Sequence, residues 1–130
     1  MIPTNSTIQS ALNDILIAAS LGYPISWPGL DFTPPASGAW LEVTFLPNRG
    51  VDDRLANDGH VSPQGIYQVT AVSRPESELQ LRSVAEEVQA AFPVGTNITG
   101  NVRITRYPYT GTLQSMDDRM SIAVTIEYSE

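Results

Sequence analysis

The residues of this chain best able to do chemistry crowd into one stretch, Asn48 to Pro63, reading NRGVDDRLANDGHVSP. It carries the only histidine, His60, close to Asp58, with the adjoining carboxylates Asp52 and Asp53 upstream. Imidazole and carboxylate together can ligate a divalent cation. Their spacing matches no metal-site pattern, and charges of this kind ordinarily solvate a loop. The absence of cysteine removes disulfides, thiolate metal sites and cysteine nucleophiles. No G-x-S-x-G, H-E-x-x-H, P-loop or dinucleotide fingerprint occurs. Asp117-Asp118 has the composition of a turn. The expectation is a chain with no catalytic site, no cofactor and no resident metal.

A second group is aromatic. Trp27-Pro28-Gly29, with Phe32 and Trp40 nearby, could form a platform for a sugar or a peptide. The commoner use of such residues is to plug one end of a small core.

These groups need elements to position them, and the strongest element signal is Gln64 to Ser73, QGIYQVTAVS. Tyr67, Val69 and Ala71 fall on one side of a pleated strand, Gln68 and Thr70 on the other. Arg74-Pro75-Glu76-Ser77 breaks that strand and starts a helix running from about Ser77 to Phe92. Its apolar residues Leu81, Val84, Ala85, Val88 and Phe92 recur at i, i+3, i+4, i+7 and i+11, on one face. Ser77 and Gln80 fit a capping box, and Pro93 closes the helix.

An earlier helix places Ile8, Ala11, Leu12, Ile15, Leu16 and Ala19 on one stripe, stopped by Gly22 and Pro24. Ser6 with Gln9 fits a capping box for it, and Asn5 or Thr4 are the other cap candidates. Ile25-Ser26-Trp27 can make a short strand. Trp40 to Pro47 alternates, with Leu41, Val43 and Phe45 on one face and Glu42 and Thr44 on the other. Val102 and Ile104 alternate with Arg103 and Thr105, and a short hairpin is possible around Tyr109–Gln114. Met120, Ile122, Val124, Ile126 and Tyr128 give the clearest period-two signal in the chain.

The order α-β-β-β-α-β-β predicts an α+β fold, a single domain over residues 1–130. Each strand has one apolar face, which suits an antiparallel or mixed sheet with two amphipathic helices on one side. The other face, with Glu42, Thr44, Gln68, Thr70, Thr125 and Glu127, must meet water or another subunit. The loop from Asn48 to Pro63 is longer than an ordinary hairpin connection, which marks it as functional, mobile or an extended arm.

Composition narrows the partners. The formal net charge is −7 and the pI about 4.5, which argues against a direct grip on nucleic-acid phosphates. Arg103 and Arg106 form at most a small basic patch. No apolar run is long enough to span a membrane, and MIPTNST lacks the layout of a signal peptide. The sequons Asn5-Ser6-Thr7 and Asn97-Ile98-Thr99 are accordingly expected to carry no glycan. Charged residues make up 16% of the chain, against about 25% in an average soluble domain. Part of this surface is therefore a candidate for cover by partners, since interface cores are depleted in charge.

Several stretches together resemble the tail terminator family of long-tailed bacteriophages. They are the first helix with Ile8, Leu12 and Leu16; Trp27–Gly29 with Phe32; WLEVTFLPN at Trp40–Asn48; and QGIYQVTA at Gln64–Ala71. The helix end AAFPVG at Ala90–Gly95, the VRI at Val102–Ile104 and the terminal alternating strand complete the set. The resemblance implies a structural virion protein, not an enzyme. It implies a homo-hexameric ring that caps the tail tube at the head-proximal end, stops its polymerisation and offers a surface for head joining. Its implied partners are further copies of itself, the tail tube protein and the head–tail connector protein, with assembly in the host cytoplasm. It implies no membrane and no specific nucleic-acid binding, phage DNA passing through the ring. The alternatives are another head–tail connector or tail tube component, or a small carbohydrate- or peptide-binding module. Candidate subunit or tube contacts are Arg49, Asp52, Asp53, Arg54, Leu55, Asp58 and His60, with Val51 beside Leu55 as an apolar anchor.

Overall fold

The structure, a computed structural model, describes residues 3–48, 62–75 and 77–130. Helix α1 spans Asn5–Ala18 and buries Ile8, Leu12 and Leu16, three members of the expected stripe. Of the cap candidates, Thr4 is the one used. Its Oγ1 accepts the Thr7 backbone N–H at 3.2 Å, satisfying one orphan donor of the first turn. Past the helix, Ser20 and Gly22 adopt left-handed backbone, with φ of 50° and 89°, and glycine takes that conformation without steric cost.

Strand β1 is only Ile25–Ser26, and it runs parallel to β2, Trp40–Pro47. β2 pairs antiparallel with β3, Gln64–Ser73, which in turn pairs antiparallel with β8, Arg119–Ser129. Between them come α2, Glu78–Ala90, then β4, Asn97–Thr99, β5, Val102–Ile104, β6, Tyr109–Thr110, and β7, Gln114–Met116. The sheet order is β1-β2-β3-β8-β5-β4, with β6 and β7 also hydrogen-bonded to β8. The short hairpin considered around Tyr109–Gln114 is instead two strands that each pair with β8.

Register sorts the side chains into two faces, because residues directly opposite in an antiparallel ladder share a side. Leu41, Ala71 and Ile122 form one row, then Val43, Val69 and Val124, then Phe45, Tyr67 and Ile126. Both helices close on this face: Ile8, Leu12 and Leu16 join Leu81, Val84, Ala85 and Val88 in one buried cluster with those strands. The layer is also tied by polar bonds. Tyr67 Oη donates to Asn13 Oδ1 of α1 at 2.6 Å, and Gln89 Nε2 of α2 donates to the Pro108 carbonyl. Phe45 stacks on Tyr128 at 5.9 Å between ring centroids.

The start of α2 differs from the expected capping box. Ser77 is the N-cap residue, but its side chain makes no capping bond. The backbone holds the first turn, with Gln80 N–H and Leu81 N–H both donating to the Ser77 carbonyl. Glu78 in that turn also complements the helix dipole.

Candidate assembly surface

The second face of the sheet carries Glu42, Thr44, Gln68, Thr70, Thr125 and Glu127, as the alternation predicts. Row by row these are Glu42–Thr70–Ala123, Thr44–Gln68–Thr125 and Leu46–Ile66–Glu127. Both helices pack on the other side of the sheet, and the contacts described on this face come from the strands and their connections. Gln68 Nε2 donates to Thr125 Oγ1 at 3.4 Å, and Arg106 pairs with Glu127 at 3.7 Å. At one end Trp40 is fully buried, its Nε1 donating to Glu42 Oε2 at 3.1 Å while the Arg119 guanidinium lies 5.6 Å from its ring centre.

That burial removes the aromatic platform. Trp40 has no exposed face, and Trp27 packs against the core, so Trp27, Phe32 and Trp40 do not present three rings to a ligand. A hollow of about 190 Å³ lies between the end of α1 and β1, lined by Leu16, Ile17, Leu21, Tyr23 and Leu41 among others. Its polar side chains are only Ser20 and Tyr23, and the Tyr23 hydroxyl is already engaged by Glu87, which leaves little to orient a small ligand. Beside it Tyr23 Oη donates to Glu87 at 2.6 Å; this bond, then burial and the nearby charge, push its pKa up to about 12. No cluster of three metal-ligating side chains occurs among the described residues, and no helix among them is long and apolar enough to cross a membrane.

Arg49, Asp52, Asp53, Arg54, Leu55, Asp58 and His60 all lie outside the described residues. The residues on either side of that segment are described. Asn48 N–H donates to the Gln64 carbonyl at 2.9 Å, and Glu130 N–H to the Pro63 carbonyl at 3.1 Å. Gly65 sits beside these bonds, against the β2 backbone. A Cβ there would lie 2.8 Å from the Leu46 carbonyl oxygen and 2.5 Å from Tyr128 Oη, so only glycine fits without displacement.

The sheet edge is the least finished part of the molecule. β1 covers only Leu41 and Glu42 of β2, and no other described strand pairs on that side. The Asn48–Gln64 bond sets the alternation along β2. Backbone groups of Leu46, Thr44 and Glu42 point to β3, and those of Pro47, Phe45, Val43 and Leu41 point away. Two facts agree with this phase: Pro47 has no N–H to leave unpaired, and Leu41 N–H is taken by the Pro24 carbonyl at 2.9 Å. The parallel pair Ser26–Glu42 is held by the Val43 N–H donating to the Ser26 carbonyl, so the Val43 carbonyl and both groups of Phe45 lie on an edge that no described strand meets. Among the described residues, Pro47 at its end apart, no lysine, bulge or inward charge blunts it.

The far side of the sheet has a matching feature that the sequence reading missed. β7 is exposed along its whole length, and Met116 is 69% exposed. It folds back on β8 through the two-residue turn Asp117-Asp118, with Met116 opposite Arg119. The signal was present: two turn residues ahead of an alternating strand announce a hairpin partner on their other side.

A model of the family described as phage tail terminator protein matches residues 7–128. One solved structure, whose name carries no functional description, is 26% identical, with a TM-score of 0.74 over 97% of this chain and 94% of that one. Another, from the virion of a native gene transfer agent particle, has a TM-score of 0.59 at 12% identity, covering 96% of this chain and 92% of that one. At that identity the likeness is one of fold alone. No curated protein matches the sequence.

Proposed function

This chain belongs to the phage tail terminator protein family, and on that premise we propose that it closes into a hexameric ring on the head-proximal end of a tail tube. There it ends tube polymerisation and presents a surface to the head–tail connector. Its partners in this reading are further copies of itself, the tail tube protein and the connector protein, within the virion. The role is structural and asks nothing of catalytic groups.

The observation that carries the reading is the family match across nearly the whole chain. The fold supports it in one respect. A ring of identical subunits needs two different surfaces on each copy that fit one another head to tail. The open edge of β2 and the exposed β7 lie on opposite sides of one sheet and supply two such surfaces. The gene transfer agent particle offers one virion in which a chain of this fold resides, which suits the same setting here.

The test is electron microscopy of the purified protein, alone and mixed with tail tubes lacking a terminator. Closed six-fold rings, and tubes that stop growing once a ring is seated, are the expected result. Long tubes assembled from this protein alone would make it a tube subunit and overturn the proposal.

A further inference from the structure

We propose that the open edge of β2 receives β7 of the next copy by strand addition, so that the sheet continues from subunit to subunit. The inference rests on the ring reading and names the contact that would build it.

The argument begins with backbone groups. Phe45 directs its N–H and C=O, and Val43 its C=O, away from β3, where no described strand meets them. On β7, the pair Met116–Arg119 flanks a two-residue turn and is the hydrogen-bonded closing pair of that hairpin. By alternation Ser115 is a non-hydrogen-bonded position against β8, so its N–H and C=O point outward. Each copy therefore carries an acceptor edge and a donor edge with free backbone groups of the right kind for main-chain recognition.

Side chains agree with the same pairing. An antiparallel register with Phe45 opposite Ser115 of the next copy puts both residues on the helix-covered side of their sheets. It then sets Thr44 opposite Met116 and Leu46 opposite Gln114, all on the polar face of their sheets. Leu46, 48% exposed, and Met116, 69% exposed, become diagonal neighbours, close enough for long side chains to touch. Two apolar side chains stranded on a polar face would thereby cover one another.

Charge favours these edges over the rest of the surface. Copies with a net charge of −7 repel one another. The residues that meet in this register, Thr44 to Leu46 and Gln114 to Met116, carry no charge, and the first acidic residue, Asp117, comes only opposite Val43. Because the two edges differ, the contact is heterologous and closes a ring when its rotation permits.

The cysteine-free chain makes the test direct. In the double variant Thr44→Cys, Met116→Cys, the two thiols of one chain are three strands apart, about 14 Å across the sheet alone. A disulfide needs Cα atoms within about 7 Å, so no bridge forms within a copy. Between copies the pair is a non-hydrogen-bonded one, with Cα atoms about 4.5 Å apart. Oxidation on tail tubes should give a reducible ladder in denaturing gels, up to a hexamer, while each single variant stops at dimer. Ser115→Pro, which removes the outward N–H at an edge-strand position where proline is tolerated, should lose ring assembly while its thermal unfolding stays that of the parent. Rings seen by microscopy without a ladder beyond dimer would overturn this contact and leave the ring reading standing. Ser115→Pro rings as abundant as the parent's would do the same. If no multimer forms with or without tubes, the ring reading falls and takes the contact with it.

Discussion

The ring of Phe92 lies against that of Tyr67, 5.8 Å between centroids with the planes 48° apart, joining the end of α2 to the middle of β3. Both side chains are fully buried. Phe92 lies two residues past Ala90, the last of α2, and closes the helix's apolar stripe, so it fills the space between helix and sheet without lying in either. Phe92→Ala is expected to cost roughly 3–5 kcal/mol, from lost transfer energy and the cavity left behind. A typical domain has only about 5–15 kcal/mol in total. Chemical denaturation checks it, and a midpoint equal to the parent's would contradict the packing.

Tyr67 has a second contact whose removal is more selective. Its hydroxyl donates to Asn13 Oδ1 at 2.6 Å, across the helix–sheet boundary. Tyr67→Phe keeps the ring packing and deletes this bond, for an expected loss of about 1 to 2 kcal/mol. In a cycle with Asn13→Ala, the double variant should lose less than the two singles added together. Strict additivity would mean that the bond contributes nothing.

Tyr128 gives the opposite expectation. Its hydroxyl is buried and has no hydrogen-bond partner among the described residues. A buried hydroxyl without a partner costs stability. Tyr128→Phe should therefore be neutral or raise the melting temperature. Gly65→Ala beside it should destabilise by about 1–3 kcal/mol through overpacking. Combining the two should relieve only part of that loss, because the new Cβ still meets the Leu46 carbonyl at 2.8 Å and Pro47 Cα at 2.9 Å.

Alkaline titration should reveal the same tyrosines. Burial pushes the Tyr128 phenol up to about 12 from its ordinary 10.0, and raises Tyr67 further still. Folded-state values above the unfolded ones mean that the folded protein holds these protons more tightly. Their contribution is complete below the ordinary value of 10.0 and is lost as pH climbs through about 12. The denaturant midpoint should fall across that window, with phenolate absorbance appearing in step with unfolding. A midpoint flat across the window would refute the burial-driven shift.

The segment of the sequence between β2 and β3 carries charges of both signs suited to steering and register. Arg54→Glu and Asp53→Lys are expected to leave folding unchanged and to weaken ring formation or tube capping. Circular dichroism and tube-length distributions measure the two effects separately. Capping equal to the parent's in both variants would make these charges bystanders.

Periodicity alone determined which side of β3 and β8 faces the helices and which residues of α2 are buried. Each of those elements is long enough to repeat its pattern several times, and burial of one face is what the repeat encodes. It also placed Glu42, Thr44, Gln68 and Thr125 on the opposite face. The stretches quoted for the family resemblance lie in these same long elements. What only the tertiary structure decided concerns short pieces and directions. β4 and β7 have three residues each, too few for an alternation to stand out, and both exist because another strand lies alongside. Trp40 falls by alternation on the polar face, yet it is buried there under Arg119, a residue of a different strand. Above all, no local pattern says that Val43, Phe45 and Ser115 turn their backbone groups outward. That depends on which neighbour each strand already has and in what register, and hydrogen bonding to a partner strand is set by the fold as a whole.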